Sequence, residues 1–423
     1  MTREFQQMLK LAAIGATGHA VDMSGEDIDW QKVLDAAKRQ KVEYLVAYAL
    51  KRNSQLPCTS EIRDPLLKEA RTIMFSNAVH KRGIFQLLEE MEAAEIPAVL
   101  LKGYAIADCY ALPESRMCGD ADIWINPKDE DRACEFMKKQ GFTVSPRWKN
   151  GHHAVCNHPM LGCVELHVIL YDEIVEDVWF GKMDGSEFVV EPYLRINTED
   201  GKYHTLGYTD HFIFLTLHMI KHFILSGLTV QMMLDVALYF KQHASRIDAE
   251  RVWNTINSLH YGKLFNCVLW GMINYCGFRQ SDFLGICAAV PEQVEDILSD
   301  LEEGGWMGYV DKSAREDGWH EYNRQVILED KSKVQYLLYM FHWRASFYFK
   351  ALFPTVSVLA RKYPYIRKYP LLIPWAWFHR LIFRGIHAVS KGVLTTYIVS
   401  DEEEICDLGK KRVQMFRKLE MLK

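Results

Sequence analysis

Apolar residues recur at helical spacing through the first part of the chain. One set is Trp30, Val33, Leu34 and Ala37, and a second set includes Val42, Leu45, Val46 and Ala49. Residues three and four positions apart share a helix face, so this spacing predicts helices that bury one side. After the break at Pro57, the pattern predicts one or two further helices over 63–94, with Asp64 as the N-cap before Pro65.

The pattern changes at Ile96. An apolar run over 97–101 ends in Lys102-Gly103 and predicts a buried strand followed by a tight turn. The spacing then predicts a helix over 104–111, a strand over 121–126, a helix over 129–140 with Gly141 as its C-cap, and a hairpin of strands 152–158 and 163–170. The order of elements is strand, helix, strand, helix, hairpin.

From about residue 210 the chain is predicted to be helical again. Residues 211–225 are apolar almost all round, which indicates a buried helix, and 230–243 predicts another. We therefore predict an α+β protein with a small mixed β-sheet. Its three parts are an N-terminal helical region (1–95), an α/β core (96–205) and a C-terminal helical region (206–423).

The composition is that of a globular protein. Hydrophobic residues make up 49% of the chain and charged residues 25%. The N-terminus is charged, and no apolar run approaches the roughly 18 residues of a membrane-spanning helix. The ten cysteines form no C-x-x-C pair, which favours free thiols in a reducing compartment. These observations predict a cytoplasmic protein.

Charge is unevenly placed along the chain. Residues 331–400 contain eleven Lys or Arg and no Asp or Glu, although the whole chain carries a net charge of −5. The same stretch is rich in aromatic residues, including Trp375 and Trp377. Three interpretations are open: a buried aromatic core whose cations face the acidic remainder, peripheral contact with an anionic membrane, or contact with nucleic acid. We favour the first.

Candidate chemistry is concentrated in two strands of the α/β core. Asp120 and Asp122 are two residues apart on a predicted strand, so their side chains share a face. Adjacent carboxylates repel unless a cation lies between them, and Mg²⁺ prefers carboxylate oxygens. Glu165 supplies a third carboxylate on the hairpin, with His167 on the same face. The pattern therefore predicts a site for Mg²⁺ or Mn²⁺ formed by Asp120, Asp122 and Glu165.

Residues near the first predicted strand complete a candidate nucleotide site. Gly103 follows the strand at the start of a helix, where backbone N–H groups can approach phosphates. Lys102 and Arg116 are candidates for holding phosphates, and each is also compatible with ordinary surface charge. We include Tyr104 and His167 among the nucleotide-binding residues.

Together these motifs resemble the DNA polymerase β-like nucleotidyltransferase superfamily. Leu101-Lys102-Gly103 is similar to its strand and glycine turn, Gly119-Asp120-Ala121-Asp122-Ile123 to its pair of carboxylates, and Val164-Glu165-Leu166 to its third carboxylate. Leu-Leu-Lys-Gly-Tyr-Ala, Arg116 and Val-Glu-Leu-His are more similar to a bacterial group described as uncharacterised nucleotidyltransferases. The motifs span about 70 residues, and helical flanks also fit that group.

The resemblance implies transfer of a nucleoside monophosphate from an NTP to an acceptor that the sequence does not identify. Two Mg²⁺ ions on the carboxylates would escort the triphosphate and activate an acceptor hydroxyl for in-line attack, and pyrophosphate would leave. The turn differs from the superfamily pattern, which has Gly-Gly or Gly-Ser where this chain has Lys102-Gly103-Tyr104. A second hypothesis is therefore a nucleotide-binding or interaction protein that keeps the fold without turnover.

Two other groups of residues were weighed as metal sites. His152, His153, Cys156 and His158 cluster around the predicted hairpin, and His218 and His222 are four residues apart on a predicted helix. Neither spacing matches a standard zinc site, so we favour structural roles for both groups.

Overall fold

The computed structural model describes residues 1–19, 23, 25–53, 55–145, 147, 153–170, 186–304, 359, 363, 365–379, 411–412 and 414–421. His152 and most of the acid-free stretch 331–400 lie outside these residues. Packing divides the chain into two compact units, one of residues 1–309 with 419–421 and one of residues 310–418 with 422–423. The three-part division made from the sequence stays a prediction.

Four helices precede the sheet. They are α1 (Arg3–Thr17), α2 (Trp30–Arg39), α3 (Glu43–Arg52) and α4 (Ser60–Ala93). Gly15 lets α1 approach α3 closely, because a Cβ at this position would lie 2.0 Å from the carbonyl oxygen of Leu45. The expected helical character of this region is confirmed.

The predicted start of α4 is wrong. The helix begins at Ser60 after Thr59, and Pro65 lies inside its first two turns instead of at its first position. A proline this close to the N-terminus removes only one hydrogen bond, so the four residues before Asp64 can still be helical.

Among the described residues, seven strands form one mixed sheet in the order β3-β4-β5-β2-β1-β7-β6. The strands are β1 (Ala98–Leu100), β2 (Asp120–Ile125), β3 (Thr143–Ser145), β4 (His153–His158), β5 (Gly162–His167), β6 (Leu194–Thr198) and β7 (Gly201–Thr205). β2 pairs in parallel with β5, and β1 pairs in parallel with β7. The predicted α+β fold with a small mixed sheet is confirmed.

One face of the sheet packs against α4 and α5 (Glu130–Lys139). Residues that alternate along the central strands form this core, among them Ala121, Ile123, Val164 and Leu166. Their neighbours in sequence must point to the opposite face, because side chains alternate along a strand. This opposite face carries the candidate site. Gly141 adopts a positive φ of 90° just after α5, as predicted for its C-cap.

Helices follow the sheet. They are α6 (Tyr208–Leu225), α7 (Val230–His243), α8 (Ala249–Ser258), α9 (Gly262–Cys276) and α10 (Pro291–Gly304). The buried His211 anchors α6 to the sheet, because its Nε2 donates to the carbonyl oxygen of Leu101. No helix in the described part of the chain is both long and apolar enough to span a bilayer.

In the second unit, the described residues include a short helix, α11 (Tyr365–Lys368), and helical residues 373–379. Tyr363, Ile366 and Ala376 are buried there, but Tyr369, Leu371, Trp375 and Phe378 are exposed. The expectation that the aromatic residues of 331–400 are simply core is therefore wrong for Tyr369, Trp375 and Phe378. Tyr365, Ile373 and Trp377 are partly buried against the same small cluster.

Candidate metal and nucleotide site

The three predicted carboxylates converge on the sheet face opposite the core. Register places Asp122 directly beside Glu165 in the parallel pair β2–β5, and Asp120 lies one pleat away on the same face. One carboxylate oxygen from each of the three residues lies within 4.8 Å of the others. The expected geometric convergence is therefore found.

This donor set fits a hard divalent cation. The three residues supply only carboxylate oxygens, which Mg²⁺ and Mn²⁺ prefer. Like charges this close also need a positive partner. Asp120, Asp122 and Glu165 are thus the residues that could hold such an ion.

Lys102 lies against these carboxylates. Its Nζ is 3.1 Å from Oδ2 of Asp122 and 3.8 Å from Oδ2 of Asp120. Burial acts to lower the pKa of Lys102, but the charges of Asp122, Asp120 and Glu165 outweigh burial and raise it. The lysine therefore stays protonated and supplies an internal cation to the site.

The two aspartates differ in their ionisation. Burial acts to raise the pKa of Asp122, but Lys102 and a hydrogen bond from His167 lower it well below its usual range. Lys102 also acts to lower the pKa of Asp120, yet burial and the charges of Asp122 and Glu165 raise it overall. Asp122 is thus the firmly ionised member of the pair.

His167 connects two carboxylates of the site. Its Nε2 is 2.9 Å from Oδ1 of Asp122 and 3.4 Å from Oε2 of Glu165. Burial acts to lower the pKa of His167, but the hydrogen bonds to Asp122 and Glu165 raise it. The histidine was predicted as a nucleotide-binding residue, and the structure places it among the carboxylates.

The predicted turn residues are buried beside the site. Gly103 has a φ of 69° and begins a 3₁₀ helix, Gly103–Cys109, where the sequence predicted a helix over 104–111. A left-handed φ favours glycine here, because other residues are strained in this region. Tyr104 is buried in the core cluster under the sheet. Their roles in nucleotide binding stay predictions.

Arg116 lies in a buried ion pair away from the carboxylates. Its Nε is 3.0 Å from Oδ1 of Asp235 and its Nη2 is 2.8 Å from Oδ2, while Nη1 donates to the carbonyl oxygen of Met117. Tyr110 also donates to Asp235, at 2.6 Å. This placement gives Arg116 a structural role in joining the loop before β2 to α7.

The other candidate histidine groups do not form three-ligand clusters of their own in the described part of the chain. Only two groups of three potential ligands converge among the described residues: Asp120, Asp122 and Glu165, and His153, Glu165 and His167. Neither contains His218 or His222. Cys156 is buried in the core on the opposite face from His153, and Nδ1 of His158 accepts from the backbone N–H groups of Met160 and Leu161.

Sequence reasoning missed one contribution to the site, because His153 of β4 joins it through Glu165. On α6, burial and then the positive charge of Lys102 lower the pKa of His218. The hairpin register carried a signal for His153. The turn at 159–161 pairs His158 with Gly162, and counting back from that pair places His153 opposite His167.

A protein family described as uncharacterised nucleotidyltransferases matches residues 26–272 of the chain. The chain belongs to this family. The match covers the last three N-terminal helices, the whole sheet with the carboxylates, and the helices that follow it as far as α9.

Similarity to other known proteins is limited. The solution structure of the antibiotic-resistance factor ANT(2'')-Ia is similar over 43% of this chain and 89% of that chain, at 12% sequence identity and a TM-score of 0.28. No curated protein matches the chain.

Proposed function

We propose that this protein transfers a nucleoside monophosphate from an NTP to an acceptor in a metal-dependent reaction. The observation that carries the proposal is the convergence of Asp120, Asp122 and Glu165 on one sheet face. Membership of a nucleotidyltransferase family supports the same class of chemistry. The acceptor is left open, because no described residue identifies it.

The site residues fall into two roles. Asp120, Asp122 and Glu165 would hold Mg²⁺ or Mn²⁺, which when bound neutralises phosphate charge and favours ionisation of an acceptor hydroxyl. Lys102 supplies a fixed positive charge next to the carboxylates. With Mg²⁺ or Mn²⁺ on the carboxylates, the ammonium of Lys102 would be able to contact a phosphate oxygen.

Positioning is the main contribution of the chain to catalysis. Asp122 is held from two sides, by Lys102 at Oδ2 and by His167 at Oδ1. These two contacts orient the Asp122 carboxylate on the shared sheet face before a ligand arrives. The parallel pairing of β2 with β5 holds the two carboxylate-bearing strands in register.

Calorimetry with a non-hydrolysable NTP tests the proposal. We expect binding to the wild-type protein only when Mg²⁺ or Mn²⁺ is present, and loss of that binding in the double variant Asp120→Asn, Asp122→Asn. Asp200→Asn is the matched control, because Asp200 pairs with Lys81 away from the three carboxylates. Equal nucleotide affinity with and without metal, or in the double variant, would contradict the proposed site.

A second function is favoured by the position of Lys102. Lys102 already neutralises the carboxylates. A nucleotide-binding protein without turnover would also keep such a cation. Release of labelled pyrophosphate from γ-labelled NTP separates the two functions, with water and a panel of hydroxyl acceptors supplied. Metal-dependent binding without pyrophosphate release from any acceptor would favour the non-catalytic function.

A further inference from the structure

Two histidines lie beside the carboxylates on the same sheet face. His153 of β4 and His167 of β5 are opposite each other in an antiparallel pair, with ring centroids 5.1 Å apart. Glu165 precedes His167 by two residues and therefore shares its face. Strand register and alternation thus bring two imidazoles and one carboxylate together.

The separations between their donor atoms suit one bound ion. Nε2 of His153 is 3.5 Å from Oε1 of Glu165, and Nε2 of His167 is 3.4 Å from Oε2. Two ligands bound about 2.1 Å from a tetrahedral ion are about 3.4 Å apart. The same separations also suit ion pairs between protonated histidines and Glu165, so the experiment must distinguish a metal from a proton.

We infer that His153, His167 and Glu165 form a second metal site, for a divalent cation that accepts imidazole nitrogen, such as Zn²⁺ or Mn²⁺. Zn²⁺ favours imidazole nitrogen and Mn²⁺ accepts it together with oxygen ligands, whereas Mg²⁺ prefers an all-oxygen set. Glu165 belongs to both clusters, so it would be shared between the two sites. The inference goes beyond nucleotidyl transfer, because retention of this metal does not require turnover.

Asp122 lies between the carboxylate cluster and the histidine cluster. Lys102 contacts its Oδ2, and Nε2 of His167 contacts its Oδ1. To bind a metal through Nε2, His167 must be neutral, so the ion replaces its hydrogen bond to Asp122. Asp122 keeps Lys102 as a partner in either state.

Pulsed electron paramagnetic resonance with Mn²⁺ tests the inference on the full chain after chelator treatment. We expect a ¹⁴N coupling from directly bound imidazole in the wild-type protein. Asp120→Asn should keep that coupling, because it disrupts only the all-oxygen cluster. His153→Ala should raise the Kd of the nitrogen-coupled Mn²⁺ by at least about tenfold.

His158→Ala is the matched control, because His158 lies on the same strand but accepts hydrogen bonds from the turn. It should bind Mn²⁺ like the wild type. Absence of ¹⁴N coupling in the wild-type protein, which needs no variant, would overturn the inference. Equal Mn²⁺ affinity in folded His153→Ala and wild type would overturn it as well.

The outcomes for this site and for the proposed function are distinguishable. Metal-dependent NTP binding without ¹⁴N coupling would reject the histidine site and leave nucleotidyl transfer standing. Nitrogen coupling without any NTP binding would support the histidine site and reject the proposed function.

Discussion

Lys102 supplies a positive charge where three carboxylates meet. Its Nζ lies within 4 Å of Asp120 and Asp122, and its side chain is largely buried. Without a metal ion this lysine is a cation in contact with the carboxylates, and with a metal ion it is a candidate phosphate contact. Its effect on stability should therefore depend on whether a divalent ion is bound.

Replacement of Lys102 by methionine should destabilise the metal-free protein. Loss of the partner of buried carboxylates costs about 3 kcal/mol in comparable pairs. Because Mg²⁺ can take over the neutralisation, added Mg²⁺ should raise the Tm of Lys102→Met by more than it raises that of the wild type. Thermal unfolding with Mg²⁺ and with chelator measures this difference.

Lys81→Met is the matched control for this experiment. Lys81 is also buried and pairs with Asp200 and Asp108, at 3.0 Å and 3.8 Å, but its partners are not part of the carboxylate cluster. We expect destabilisation without rescue by Mg²⁺. Equal Mg²⁺ effects on the two variants would contradict a metal role for the cluster around Lys102.

Part of the site was predictable because side chains alternate between the two faces of a strand. This alternation placed Asp120 with Asp122 and Glu165 with His167, because residues two apart share a strand face. The same alternation explains why the candidate zinc group on β4 does not form, since His153 and Cys156 are three residues apart and face opposite sides of the sheet. The target of Lys102 was not predictable, because a long side chain after a turn can reach several partners.

The Arg116–Asp235 pair joins two elements that are far apart in sequence. Arg116 belongs to the loop before β2, and Asp235 lies in the middle of α7, with both side chains buried. A side-chain amide of Asn77 on α4 also donates to the carbonyl oxygen of Arg116. The loop that leads into Asp120 is therefore fixed from two helices.

Removal of either partner of this pair should destabilise the folded protein. We expect Arg116→Met and Asp235→Leu each to lower the free energy of unfolding by about 3–5 kcal/mol, because each leaves a buried charge unpaired. The double variant should be more stable than either single variant. Urea unfolding of the three variants measures the coupling.

Nucleotide affinity distinguishes a structural role of Arg116 from a role in phosphate binding. A structural role predicts similar nucleotide affinity in Arg116→Met and Asp235→Leu under conditions where both are folded. Weaker binding in Arg116→Met alone would instead support the direct phosphate contact expected from the sequence.

Element prediction succeeded where the chain gave long or regular patterns. The helices over 129–140, 211–225 and 230–243 and the hairpin are all present within a few residues of their expected bounds. The pair β6–β7 was missed, although Leu194 and Ile196 alternate with polar residues. These strands are only five residues long, and β7 joins the sheet through a parallel partner about 100 residues earlier, β1. Short alternation without a local partner is a weak signal.

At the scale of the whole molecule, the acid-free stretch 331–400 remains the strongest feature outside the site. In its described part, five large hydrophobic side chains are exposed: Leu371 is 95% exposed, Trp375 59%, Phe378 53%, Tyr369 52% and Leu372 42%. Eleven cations lie in the same stretch without an acidic residue. Exposed tryptophans beside cations favour the headgroup region of an anionic bilayer.

We expect the full chain to float with liposomes that contain anionic lipid, and to float less at high salt because salt screens the cations. Trp375→Ala combined with Leu371→Ala should reduce flotation by removing apolar area that enters the bilayer. Phe75→Ala is the matched control, because Phe75 on α4 is 72% exposed but lies in a different part of the chain. No flotation of the wild type would reject membrane contact, and salt-sensitive binding to single-stranded nucleic acid instead would assign the exposed aromatic side chains to base stacking.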